Sequence, residues 1–172
     1  MSRAPARLTG RARARTENRA AVIQMKIALR EAQPVDYGFA RQLYATTMRD
    51  LTERAFGWDE YRQDLSFAGQ YVQSEVRIIT LNGRDVGWLQ TRSVGATLHL
   101  FQFYIEPTWQ NRGIGSLVLK RLLAQAERRG CNVALSVMKE NPARRLYERH
   151  GFRATHEDRY KVHMRTISPN RR

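Results

Sequence analysis

The chain carries a single cysteine, Cys131, among its 172 residues, so no internal disulfide can form and a reducing, cytoplasmic setting is expected. No stretch approaches the roughly 20 consecutive apolar residues of a membrane span, so no membrane association is expected. Clustered His, Cys and carboxylate spacings of the kind that hold zinc are absent, and no metal is expected. Acids are scarce: 16 Asp and Glu stand against 30 Lys and Arg, a formal net charge of +14. What is present is ordinary for one folded domain, with 42% hydrophobic and 27% charged residues. A chain of this size buries roughly two thirds of its unfolded surface and needs no covalent staple.

The charge is uneven. Residues 1–24 hold six arginines (Arg3, Arg7, Arg11, Arg13, Arg15, Arg19) against one acid, Glu17, with almost no large apolar side chains. Such a segment cannot bury enough surface to offset its ordering entropy, and it reads as a flexible tail. An organelle transit peptide and a nucleic-acid-binding arm share that composition. The domain proper then spans 25–172, and Met25 of "MKIALREA" would itself serve as a start. The body is basic too, but its arginines are dispersed and match no nucleic-acid motif; an anionic small molecule accounts for part of the excess.

Periodicity orders the rest. Strands are expected at 25–30, 75–81, 84–92 and 97–105, with Asn82-Gly83 turning a hairpin. Pro34 opens a helix with an apolar stripe through Phe39, Leu43, Met48 and Leu51, and a shorter helix covers 59–67. "TLHLFQFYI" at 97–105 is apolar on both parities, which predicts a central strand. A helix over 113–129, a strand "NVALSVM", a helix begun by Asn141-Pro142 and a hairpin from 152–155 and 159–166 complete an α/β domain, a mixed central sheet flanked by helices.

Between the central strand and the long helix stands "QNRGIGSL", residues 110–117. A glycine turn opening a helix suits phosphate, because free N–H groups converge at the positive end of the helix dipole. It is not a P-loop, since Ser116 and Leu117 follow Gly115 where lysine is required. Nor is it a dinucleotide fingerprint, since Val118 occupies the place of the third glycine. Strand, "EPTWQNRGIG", helix, strand and "NPARRLYERHGF" together resemble the GNAT superfamily of N-acyltransferases, over roughly residues 25–166. "FGWDE" and "GRDVGWLQ" resemble a bacterial subgroup of it.

The resemblance implies a GNAT-type sheet whose strand splays before the pyrophosphate loop, with acetyl-coenzyme A as co-substrate. It places the pyrophosphate on the amides of Asn111, Arg112, Gly113, Ile114, Gly115 and Ser116, with Gln110 beside them and Arg112 adding charge. A Cβ at either glycine is expected to hold the phosphates off. The pantetheine arm would pair with the main chain of Phe103, Tyr104 and Ile105. Tyr147 falls on the family's proton donor to the thiolate, a packed core tyrosine being the other reading; Asn141 touches pantetheine or caps its helix. His99 aligns with the position of a catalytic glutamate, against a merely packed histidine. Tyr44, Met48, Phe56, Trp58 and Tyr61 are candidates to line the acceptor side or to pack in the core, and Asp59 and Glu60 to hold a cationic amine or to open a helix. The implied activity is N-acetyl transfer to a primary amine of a small molecule or protein; the alternative is an acyl-coenzyme A sensor without turnover. Homodimers are common in such folds and are left open.

Overall fold

The computed structural model describes residues 26–166, so the expected tail at 1–24 and the start at Met25 lie outside the described residues. The chain runs β1 (Ile27–Glu31), α1 (Asp36–Phe56), α2 (Glu60–Gln70), β2 (Val76–Leu81), β3 (Arg84–Val94), β4 (Thr97–Ile105), α3 (Ile114–Arg128), β5 (Asn132–Met138), α4 (Arg144–Arg149), β6 (Phe152–Glu157) and β7 (Lys161–Thr166). The strands form one sheet in the order β1-β2-β3-β4-β5-β7-β6. β4 and β5 are parallel, which requires the α3 crossover between them, and the other neighbours pair antiparallel. Two short 3-10 turns, Gln73–Glu75 and Pro107–Trp109, were not expected from periodicity.

Both sheet faces are covered. On one, Ile114, Val118, Leu119, Leu122 and Ala126 of α3 and Tyr147 of α4 pack on Val86, Leu89, Leu98, Leu100, Val133, Leu135, Val162 and Met164. On the other, Ala40 and Leu43 of α1 and Phe67 of α2 pack on Val76, Ile78 and Trp88. The β1 end is tied by Arg30, whose guanidinium bridges Asp36 at the start of α1 (2.7 and 2.8 Å) and Asp85 of β3 (2.6 Å). Arg30, by its hydrogen bonds, holds the carboxyl of buried Asp36 below the usual range.

β4 is central as expected, but for a different reason than two-sided burial. Gln90 pairs with Gln102 and Thr91 with Leu100, so Phe101 is an extra residue, a β-bulge. A one-residue insertion reverses parity. Leu98 and Leu100 face α3 before it, and Phe103 and Ile105 face α3 after it. The apolar residues on both parities are therefore largely one face read across a shift. Phe101 itself is 48% exposed.

Two glycines permit close approach along this strand. A Cβ on Gly87 would collide with the Tyr104 carbonyl oxygen and lie 3.1 Å from Ile105 Cα, both backbone atoms. A Cβ on Gly115 would meet Leu146 Cδ2 at 3.3 Å and Ile105 Cδ1 at 3.4 Å. Gly115 thus serves the packing of α3 on the end of β4; its missing side chain points inward, correcting the expectation that it clears space for phosphate. Gly87→Ala should lower unfolding stability by about 3 kcal/mol, because backbone cannot yield as side chains do. Gly115→Ala should stay within about 1 kcal/mol of wild type, the gain in helix propensity offsetting contacts that flexible side chains relieve. Urea denaturation midpoints compare the two.

Candidate active site

β4 and β5 pair from Thr97 opposite Asn132 to Leu100 opposite Leu135. Beyond that rung β4 continues on β3 as far as Ile105, while residues 136–138 of β5 pair with β7. The bulge at Phe101 bends β4 at the point of parting, and the splayed strands border a cavity of about 290 Å³. The Tyr104 carbonyl faces Gly87, and Glu106 N–H donates to Val86 O at 2.8 Å, so residues 104 and 106 turn their main-chain groups to β3. Alternation then turns those of Phe103 and Ile105 into the gap. The Ile105 carbonyl accepts from Gln110 Nε2 at 2.8 Å, so the Gln110 side chain ties the loop to the strand end.

The loop's amides are shaped by two positive φ angles, Asn111 at 58° and Gly113 at 84°. Gly113 precedes α3, and Leu117 N–H donates to its carbonyl at 3.1 Å. The N–H groups of Ile114, Gly115 and Ser116 belong to the first helical turn, which has no acceptor within the helix, and they point out of its positive end. Ile114 anchors this turn with a side chain 1% exposed. The Arg112 guanidinium lies over the Trp109 ring at 5.0 Å.

Tyr147 is buried, edge-on to Phe152, and also borders the cavity. Burial pushes its phenol up to about 12, so it is fully protonated at neutral pH. Asn141 borders the same cavity, and its Oδ1 accepts from Ala143 N–H at 2.9 Å in the turn before α4, a helix that starts from Ala143 without a side-chain cap. His99 is not brought there. It precedes the bulge, opposite Arg92, with its ring stacked on Phe101 at 5.8 Å and outside the cavity lining.

The opposite wall comes from α1 and α2. Tyr44, Met48, Thr52 and Phe56 recur every fourth residue along α1, and Gln63, Ser66 and Gln70 line one side of α2. Tyr44 OH donates to Gln63 Oε1 at 2.6 Å, Gln102 Nε2 to Gln70 Oε1 at 3.1 Å, and Gln70 Nε2 to Ser66 Oγ at 2.7 Å. Half-buried Tyr104, whose phenol bonds to Gln102, has its pKa raised above the ordinary value by its removal from solvent. Trp58 and Tyr61 are not part of this wall: Trp58 Nε1 donates to Glu60 at 2.8 Å, and Tyr61 is 73% exposed. Nor are the expected carboxylates. Asp59 caps α2 by accepting from Arg62 N–H, and Glu60 pairs with Arg49 at 2.8 Å. Among the described residues, the cavity lining contains no Asp or Glu, and its one cation is Lys161. Sequence reading missed Gln63, Ser66, Gln70, Gln102, Ser136 and Lys161; only the helical spacing of the first three was a signal. Among the described residues no group of His, Cys and carboxylates is placed to hold a metal, and no helix is long and apolar enough to cross a membrane.

Residues 38–152 match the model of the acetyltransferase (GNAT) family. A curated relative, the [ribosomal protein bS18]-alanine N-acetyltransferase of Haemophilus influenzae, is 36% identical over 72 residues, 41% of this chain and 49% of the relative, so the chain matches about half of that protein's length. Among solved structures, the PaiA N-acetyltransferase of Thermoplasma acidophilum in complex with coenzyme A has a TM-score of 0.67 at 15% identity, covering 83% of this chain and 99% of that one. The ribosomal-protein-S18-alanine N-acetyltransferase of Escherichia coli has a TM-score of 0.55 at 20% identity, covering 85% and 99%. The two structures share the fold: the mixed sheet with helices on both faces. With the family match spanning most of its length, the chain belongs to the acetyltransferase (GNAT) family, a family of acetyl-coenzyme A-dependent N-acetyltransferases.

Proposed function

We propose that the protein transfers the acetyl group of acetyl-coenzyme A to a primary amine of a small molecule or a protein. The observation that carries this reading is the gap between β4 and β5 beyond Leu100 and Leu135, bordered at one end by the Gly113 turn and on one face by Tyr147. A pantetheine arm, itself a chain of amides, fits there as an added strand on the main-chain groups of Phe103 and the N–H of Ile105. The amides of residues 111–116 would take the pyrophosphate, with Arg112 beside them. Tyr104, whose main chain faces β3, contributes its phenol to the acceptor side instead.

Transfer needs a polarised carbonyl and a proton for the departing thiolate. An N–H of Phe103 or Ile105 supports the first, and the Tyr147 hydroxyl the second. The acceptor wall of amides, phenols and hydroxyls, with no carboxylate in its lining, does not select a bare cation. It suits an amine that arrives with hydrogen-bonding groups of its own, as a peptide or a polar metabolite does.

Thiol release from acetyl-coenzyme A, screened across amino acids, peptides and polyamines, tests the activity; binding without release from any of them would turn the reading to a sensor. Gly113→Ala places a Cβ at φ 84°, a strain of about 1–2 kcal/mol, and should raise the Kd for coenzyme A roughly tenfold by calorimetry. Tyr147→Phe should lower kcat about 100-fold with little change in KM for acetyl-coenzyme A, the low end of general-acid effects because so weak an acid is poorly matched to neutral pH. Burial raises the Tyr147 pKa to about 12 in the fold, while the unfolded phenol ionises near 10. Its stabilising preference for the neutral form is therefore full below about pH 10 and lost as pH rises towards 12. Melting temperatures over that window should fall less steeply in Tyr147→Phe.

A further inference from the structure

The amine that attacks a thioester must first shed a proton, and His99 is not positioned to take it. A different histidine is. Ser136, the first residue of β5 beyond the last rung to β4, lines the cavity, and its Oγ lies 2.8 Å from Nδ1 of His163 on β7. Nε2 of the same ring lies 2.9 Å from Asp158 Oδ2. The other carboxylate oxygen, Oδ1, is fixed by the backbone N–H groups of Tyr160 and Lys161 at 2.8 and 2.7 Å. An anionic carboxylate accepts only, so Nε2 must carry the hydrogen and Nδ1 must present its lone pair to the Ser136 hydroxyl. Asp158 is held ionised, its carboxyl well below the usual range through its bond to His163 and the two amides.

The chain of bonds sits on the side of the sheet where an amine would enter. Leu135, Val137, Val162 and Met164 face the α3 core together with Tyr147, so alternation sends Ser136 and His163 to the opposite face, shared with α1 and α2. Acid and relay thus flank the gap from opposite sides.

We infer that Ser136, His163 and Asp158 form the proton relay of the acceptor amine, Ser136 touching the substrate while His163 stores the proton and Asp158 orients the ring. This rests on the acetyltransferase reading of the same cleft. One ammonium proton passes to Ser136 Oγ as the hydroxyl's own proton moves to His163 Nδ1. The neutral amine forms the N–C bond, the C–S bond breaks, and the thiolate takes the Tyr147 proton. The second amine proton returns to the phenolate through solvent, and the imidazolium releases its proton to solvent. Facing His163 are Ser136 from β5, the ring of His156 from β6 stacked at 4.1 Å, Asp158 from the turn, and Lys161 and Arg165 on the same face of its own strand.

The test is a set of pH profiles of kcat/KM for the amine, with acetyl-coenzyme A saturating, in the full chain. Wild type should show an acidic limb where the relay takes up a proton. Ser136→Ala and His163→Gln should lose roughly tenfold or more in kcat/KM, and His163→Gln should lose that limb. Asp158→Asn should keep the limb and lose less in kcat/KM than His163→Gln, because the ring keeps its base but loses the acceptor that fixes its tautomer. A role confined to packing would move none of these limbs. In the intact wild-type protein, nitrogen NMR should find His163 as the Nε2–H tautomer, and Asp158→Asn should mix the two forms. Wild-type rates and an unchanged limb in Ser136→Ala and His163→Gln would overturn the relay while leaving the acetyltransferase intact. An acetyl group on Ser136 without acceptor would overturn it in favour of a covalent intermediate. No thiol release by wild type with any amine would instead defeat the underlying acetyltransferase reading.

Discussion

Beyond Leu100 and Leu135 the two central strands no longer hold one another, and the main-chain groups they would have paired are left facing a cleft. Every other part of the site is arranged around that broken ladder. Phe101 supplies the extra residue that bends β4 away, Gly87 lets β3 follow the bend closely, and Gln110 locks the strand end to the loop. Buried backbone polar groups without partners are costly, so a fold that leaves them mid-sheet must offer them a recurrent substitute partner. A long donor made of successive amides satisfies that demand.

The sheet also separates two chemistries. Its α3 face is apolar and buries Tyr147, keeping a phenol neutral. Its other face, next to the gap, carries the amide, hydroxyl and imidazole of Gln102, Ser136 and His163, with Ser66 and Gln70 of α2 over it. The gap through the sheet is the place where the two environments meet.

Much of this was legible in the residues. β4 at 97–105 and β5 at 132–138 fall where periodicity puts them, because Pro107 and Gly130 punctuate them sharply. The glycine turn was singled out from spacing within one local segment, and Tyr147 from the motif of another that carries the family resemblance. The bulge at Phe101 was not, since an inserted residue leaves a pattern indistinguishable from a strand apolar on both faces. Trp58 looked like part of the acceptor wall, and Asp59 and Glu60 like holders of an amine, but Trp58 donates to Glu60 and Asp59 caps the start of α2. Ser136, Asp158 and His163 were invisible as a set because β7 inserts between β5 and β6 in the sheet, an adjacency that no local signal encodes.

The four rungs between β4 and β5 have a mechanical meaning. They join two half-sheets at one end only, and at those same rungs side chains of α3, such as Val118, Leu119 and Leu122, pack against Leu98, Leu100, Val133 and Leu135. The two half-sheets diverge like a pair of jaws from a root set in the hydrophobic core. A methylene removed from that core, far from any reacting atom, alters the width of the mouth as well as the stability of the fold. Core packing here is thus part of the catalytic geometry, and the usual division of residues into those that fold the protein and those that work it does not hold along α3.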